Sequence, residues 1–239
     1  ATPGQFPYQI GLLASTPDGT GFCGGSILNE EWILTAAHCV DVATSVEVIV
    51  GAHNVVDPEE GQLRIQASEI IVHANWSPSI IKDDLALLKL SEPLVFSDRI
   101  QPIRLPTRSQ ASNNFVKEIG IVSGWGRPSD SATAISPVLR WTSNDIVTQL
   151  TCLVYYFFIN IDRDQICLSG TGGRSSCNGD SGGPLVVTDT DGQTTQVGVA
   201  SLRTTLVGCS EGWPGVYARV TSYLDWIETN TGGAVVIRD

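Results

Sequence analysis

The sequence predicts an all-β protein, built as barrels or sandwiches, with one clear α-helix near its C-terminus. Short apolar and β-branched runs recur along the chain, and its 24 glycines and 12 prolines fall mostly between them. Only one late stretch carries a full set of helix start, face and stop signals.

The expected strands include residues 10–14, 32–36, 46–50, 63–73, 85–90, 119–123, 184–187, 195–202 and 215–220. Val46-Glu47-Val48-Ile49-Val50 alternates over most of its length, as a half-buried strand does. The helix is expected to be capped by Ser222, with Asp225 three residues on. Tyr223, Leu224, Trp226 and Ile227 form its apolar face, and Gly232 and Gly233 stop it. A weaker helical pattern covers 146–155, where Tyr155-Tyr156-Phe157-Phe158 reads equally well as a packed loop. Residues 101–114, with Pro102 and Pro106, are the expected linker between two halves. There is no internal repeat.

A length of 239 residues allows one large all-β domain or two small ones sharing a cleft. Hydrophobic residues make up 42% and charged residues 16%, which excludes a disordered chain. No apolar run approaches the ~18 residues that span a bilayer, so no membrane association is expected. A formal net charge of -11 repels phosphate backbones and argues against nucleic acid. The six cysteines include no C-x-x-C pair. Their even number and wide spacing point to disulfides in an oxidising compartment, against the alternative of buried free thiols. Their pairing is open at this point. The first residues show neither the basic start nor the apolar core of a signal peptide, so a secreted protein is expected to have shed it.

Ser181 lies in Gly179-Asp180-Ser181-Gly182-Gly183-Pro184. Glycines on both sides let a substrate backbone approach and allow a turn that aims amide hydrogens at one point. A plain Gly/Ser surface turn is the alternative. The run also matches G-x-S-x-G, the nucleophile elbow of α/β-hydrolases, but those enzymes place an acid and then a histidine after the serine. Here the only histidines, His38, His53 and His73, all precede Ser181, which excludes the esterase or lipase reading. His38 follows Thr35-Ala36-Ala37 and precedes Cys39, so small neighbours and a tether hold it. His53 and His73 have no such setting, and a three-histidine metal site has no support. Asp83 and Asp84 precede Leu85-Ala86-Leu87-Leu88. An acid just before a buried strand can be buried beside the histidine and orient it. Either acid alone also reads as a solvated turn residue.

These residues belong to a longer series. Phe6-Pro7-Tyr8-Gln9, Cys23-Gly24-Gly25-Ser26, Trp32-Ile33-Leu34-Thr35-Ala36-Ala37-His38-Cys39 and Asp84-Leu85-Ala86-Leu87-Leu88 come first. Ser123-Gly124-Trp125-Gly126, the Ser181 run and Pro214-Gly215-Val216-Tyr217 follow. In this order they closely resemble the trypsin/chymotrypsin family of serine proteases over almost the whole chain, and invertebrate, insect-like members in particular.

The resemblance implies two six-stranded antiparallel β-barrels, residues 1–106 carrying His38 and Asp84, and residues 107–239 carrying Ser181 and the C-terminal helix. It selects Asp84 over Asp83 as the acid of a His38–Asp84–Ser181 triad. It implies an oxyanion hole at Gly179 and Ser181, and disulfides Cys23–Cys39, Cys152–Cys167 and Cys177–Cys209. The family's active form begins Ile-Val-x-Gly, whose free amine pairs with the acid before the nucleophile, here Asp180; this sequence opens Ala1-Thr2-Pro3-Gly4.

Ser175, six before the nucleophile, falls at the base of the specificity pocket, where trypsins have Asp. With Ser201 and Gly215 it implies a chymotrypsin- or elastase-like preference, modified if Arg203 lines the entrance. The acids of the trypsin calcium loop are unmatched, with Ala52 at the first expected ligand. No metal and no cofactor are expected, although Glu59 and Glu60 keep a weak surface calcium site open. Asn75-Trp76-Ser77 is a glycosylation sequon followed by Pro78. The expected protein is a secreted, extracellular, monomeric endopeptidase made as a zymogen, acting on proteins or peptides and open to protein inhibitors. Its rival is a catalytically silent homologue acting as a binding protein, which the intact set of His38, Asp84 and Ser181 argues against.

Overall fold

The structure, a computed structural model, describes residues 1–157, 161–202 and 208–239. The first six strands are β1 (Gln9–Thr16), β2 (Gly19–Ile27), β3 (Trp32–Thr35), β4 (Ser45–Val50), β5 (Leu63–Val72) and β6 (Ala86–Leu90). They close into an antiparallel barrel in the order β1-β2-β3-β6-β5-β4. The second set is β7 (Ile119–Gly124), β8 (Arg140–Val147), β9 (Gln165–Leu168), β10 (Pro184–Thr188), β11 (Thr194–Leu202) and β12 (Gly215–Arg219). It closes in the order β10-β11-β12-β9-β8-β7, the same topology repeated. Closure removes the exposed strand edges that an open sheet must protect.

Burial explains why some strands alternate and others do not. In β4, Val46, Val48 and Val50 fill the first barrel while Glu47 points out. Along the run before and within β6, Ala86 and Leu88 fill the barrel, whereas Leu85 and Leu87 turn outward and are still fully buried. The outward pair packs in a seam between the barrels, with Val186, Val199 and Ala218 of the second one. A strand buried on both faces reads as a continuous apolar run, and Leu85-Ala86-Leu87-Leu88 does.

Two short helices complete the chain, α1 (Gln149–Tyr155) and α2 (Leu224–Asn230). The weak pattern at 146–155 resolves into strand and then helix, because Thr148 caps α1 by accepting from the Thr151 N–H at 3.1 Å. Tyr156 is fully buried and Phe157 is 82% exposed; Phe158 lies outside the described residues. The expected cap at Ser222 is corrected. Val220–Ser222 form a 3-10 turn, and α2 starts after Tyr223, with no side-chain cap. Gly232 and Gly233 follow α2 at φ +63° and +80°, as a helix stop requires. The linker stretch contains a 3-10 turn, Arg108–Ser112, started by a capping box between Thr107 and Gln110.

Disulfides join Cys23 to Cys39, Cys152 to Cys167 and Cys177 to Cys209. No helix among the described residues is long and apolar enough to cross a membrane. Leu88→Ala should leave a cavity inside the first barrel and cost about 2–5 kcal/mol of stability, measurable by denaturant unfolding.

Candidate active site

His38 ends up in a 3-10 turn, Ala37–Cys39, directly after β3. The Cys23–Cys39 bridge ties that turn to β2. Asp84 immediately precedes the Leu85 run and is 1% exposed. Its carboxylate accepts three hydrogen bonds: the His38 backbone N–H at 2.9 Å, His38 Nδ1 at 2.7 Å and Ser201 Oγ at 2.6 Å. A buried carboxylate is costly unless donors surround it, and bonds to a charged group contribute roughly 1.5–3 kcal/mol each. Holding Nδ1 on Asp84 leaves Nε2 as the ring nitrogen not engaged by that carboxylate.

The neighbouring acid points elsewhere. Asp83 adopts φ +56° and accepts from Tyr223 Oη at 2.9 Å.

Ser181 comes from the second barrel and lines the same cleft as His38, a space of about 320 Å³ that also touches Ser201, Leu202 and Trp76. Its carbonyl accepts from the Gly24 N–H of the first barrel at 2.7 Å. Gly179 holds φ +101°. Among the described residues the Gly179 and Ser181 N–H groups have no acceptor, whereas Asp180, Gly182 and Gly183 all donate to backbone carbonyls.

Asp180 turns away from this cleft, into a separate cavity of about 240 Å³. Its carboxylate accepts from the Gly126 N–H at 2.7 Å and the Cys177 N–H at 2.8 Å. Burial still pushes its pKa up to about 6. A Cβ on Gly124 or Gly126 would lie 2.1 or 2.3 Å from that carboxylate, which explains both glycines of Ser123-Gly124-Trp125-Gly126.

Ser175 lines this second cavity, and the next residue, Ser176, lines both it and the cleft that holds Ser181. Ser175 approaches Gly215, where an added Cβ would meet Tyr217 Oη at 3.1 Å and Ser175 Oγ at 3.4 Å. Arg203 lies outside the described residues. Near Ala52, Glu59 accepts from the His53 and Asn54 backbone N–H groups and pairs with Arg99 at 3.8 Å. Cys23, His38 and Cys39 lie close enough together to share a metal ion, but both sulfurs are held in their disulfide.

Two contacts had no signal in the sequence. Ser201, expected at the specificity pocket, lines the cleft with Ser181, and its hydroxyl also supports Asp84 from 117 residues away. Trp76 donates its indole N–H to Asp41 Oδ2 at 2.9 Å and lies 6.5 Å from the His38 ring.

A pair of closed barrels with a serine–histidine cleft between them is the architecture of chymotrypsin-like serine proteases. The family profile described as Trypsin matches residues 1–227, and the chain belongs to that family as a serine endopeptidase acting on proteins or peptides. It is 39% identical over 232 residues to a brachyurin of Leptuca pugilator, covering 97% of this chain and 96% of that protein. It is 40% identical over 233 residues to a collagenase of Hypoderma lineatum, covering 97% and 85%. A solved structure of HL collagenase superposes with a TM-score of 0.87 at 38% identity, covering 97% of this chain and 96% of the other.

Burial lowers the His38 pKa, but the Asp84 hydrogen bond and charge, helped by Asp41, outweigh it and raise it above 6.5. This histidine therefore stabilises the fold below pH ~6.5 and loses that contribution as pH rises through its folded pKa. NMR titration of the His38 ring should give a midpoint above 6.5. Asp84→Asn should move that midpoint down, since burial then acts with less opposition.

Proposed function

We propose that this chain hydrolyses peptide bonds with Ser181 as nucleophile, His38 as general base and acid, and Asp84 as the residue that orients His38. The carrying observation is the Ser201–Asp84–His38 hydrogen-bond chain, ending in the cleft that Ser181 lines. His38 Nε2 takes the Ser181 proton as Oγ attacks the carbonyl carbon. The Gly179 and Ser181 N–H groups hold the resulting oxyanion, one such donor being worth roughly 3 kcal/mol of barrier. Collapse expels the amine with the proton from His38 and leaves an acyl-serine. Water, deprotonated by His38, then releases the acid.

The proposed division is 1–106, bringing His38 and Asp84, and 107–239, bringing Ser181. In this reading Asp180 is the partner of a free amine in the activated form, supported by its burial and raised pKa. The three disulfides support secretion, and the strong negative charge supports action as a monomer. Protein inhibitors that present a loop to the same cleft would compete with substrate.

Ser175 itself brings no charge to the proposed specificity pocket, and the nearby Asp180 carboxylate is engaged by the Gly126 and Cys177 N–H groups and, in the activated form, by the free amine. A cationic P1 side chain would then be desolvated there at a cost of several kcal/mol. Medium apolar and aromatic P1 residues avoid that cost. A peptide panel should therefore show Leu, Phe and Tyr preferred at P1, and dominant cleavage after Lys or Arg would overturn this pocket reading.

Ser181→Ala should keep the fold and lower kcat/KM by about 10⁴-fold or more. Organophosphate labelling of the parent should modify Ser181 alone; label elsewhere, with turnover surviving in Ser181→Ala, would refute the triad. Turnover should fall as pH drops through the His38 midpoint, because only the neutral ring accepts a proton.

A further inference from the structure

Asp41 follows the His38 turn closely. Its N–H donates to Ala37 O at 2.9 Å, so the same turn fixes both residues. Trp76 arrives from the loop between β5 and β6. That loop is pinched by the Ser77–Lys82 bridge, and the Trp76 N–H donates to His73 O at 2.9 Å. The two segments meet where Trp76 Nε1 donates to Asp41 Oδ2 at 2.9 Å. The indole is then tilted 42° to the His38 imidazole at a centroid distance of 6.5 Å, and it walls the cleft with Pro78 and Ile81.

We propose that Asp41 is a positioning residue for the reaction: it holds the Trp76 indole against the His38 side of the cleft and adds a second negative charge to that of Asp84. The inference rests on the reading of His38 as the base. The remaining charges on the elements packed around His38 are engaged elsewhere. Lys82 pairs with Asp162 at 3.1 Å and with Asp164 at 3.9 Å, Asp83 accepts from Tyr223, and Asp180 occupies its own cavity. Asp41 and Asp84 are the two carboxylates whose charge favours the protonated ring, against the effect of burial. Asp41 is exposed and Asp84 is buried, so salt screens the first far more than the second.

Two substitutions separate the functions. Asp41→Asn keeps an acceptor for the indole N–H and removes the charge. Asp41→Ala removes both. The experiment is kcat and KM for an extended peptide against pH, at low salt and at about 1 M salt, where the screening length is about 3 Å. At low salt both variants should shift the acidic limb of kcat/KM to lower pH than the parent's, and the shift should shrink at high salt. Asp41→Ala should also raise KM severalfold, with Asp41→Asn restoring it toward the parent value. An Asp41→Asn limb that coincides with the parent's at low salt, or equal KM values for the two variants, overturns the proposal. Ser181→Ala run alongside keeps the two readings apart. If it remains active, the triad fails; if it is inactive while the Asp41 variants behave as the parent, only the role of Asp41 fails.

Discussion

The structure depends on how closely two barrels can approach. At the point of contact there is room for backbone and little else. A Cβ on Gly182 would lie 2.2 Å from Thr35 Oγ1 and 2.5 Å from Gly24 O, and Gly182 also needs φ +79°. A Cβ on Gly24 would meet the Gly183 backbone at 3.1 Å. Because these positions are bare, Gly24 N–H reaches Ser181 O at 2.7 Å and pins the turn of the second barrel to the first. Any side chain there would push the barrels apart and carry Ser181 away from His38. The glycines around Ser181 thus serve contact between domains at least as much as substrate access.

Polar pairs cross the same seam in a reciprocal pattern. Gln9 of the first barrel accepts from Ser123 Oγ of the second at 2.7 Å, and Gln196 of the second accepts from Ser26 Oγ of the first at 2.6 Å. All four residues are buried. Buried amides and hydroxyls cost several kcal/mol if left unpaired, so a shift of one barrel along the other would break both pairs at once. The apolar seam around Leu85 and Leu87 supplies attraction without direction, and the crossed pairs supply register. The Ser201–Asp84 bond is a third crossing, placed at the site itself.

The legible elements were those with a local cause. The β4 alternation and the continuous β6 run both follow from which faces are buried. Strands β2, β8 and β9 stand out least in the local pattern, and each has a physical reason. β2 carries Gly19, Gly21, Gly24 and Gly25, which lowers strand propensity but permits the barrel contact. β8, Arg-Trp-Thr-Ser-Asn-Asp-Ile-Val, shows little alternation, and β9 has four residues. The motifs single out His38 and Asp84, and the fold brings His38 Nδ1 within 2.7 Å of the Asp84 carboxylate. The Ser201 and Trp76–Asp41 contacts join segments 117 and 35 residues apart, a distance no local pattern reports. Ser175 was assigned by position alone, and loop geometry around it decides which cavity it lines.

Charge acts on this molecule at two ranges. The net charge of -11 sets a diffuse field that physiological salt screens beyond about 8 Å, so it bears on encounter with substrate and little on base strength. The His38 environment is decided by carboxylates close to it, Asp84 and Asp41, against burial. In the proposed reading these two ranges favour different substrate features. The diffuse negative field draws cationic peptides toward the surface, while inside, Ser175 is uncharged and Asp180 is already engaged by the Gly126 and Cys177 N–H groups, so a cationic P1 side chain has no free partner. Basic residues are therefore favoured at positions that stay in solvent and disfavoured at the one that is buried. That division follows from distance and dielectric alone, since one interaction is screened and the other is desolvated.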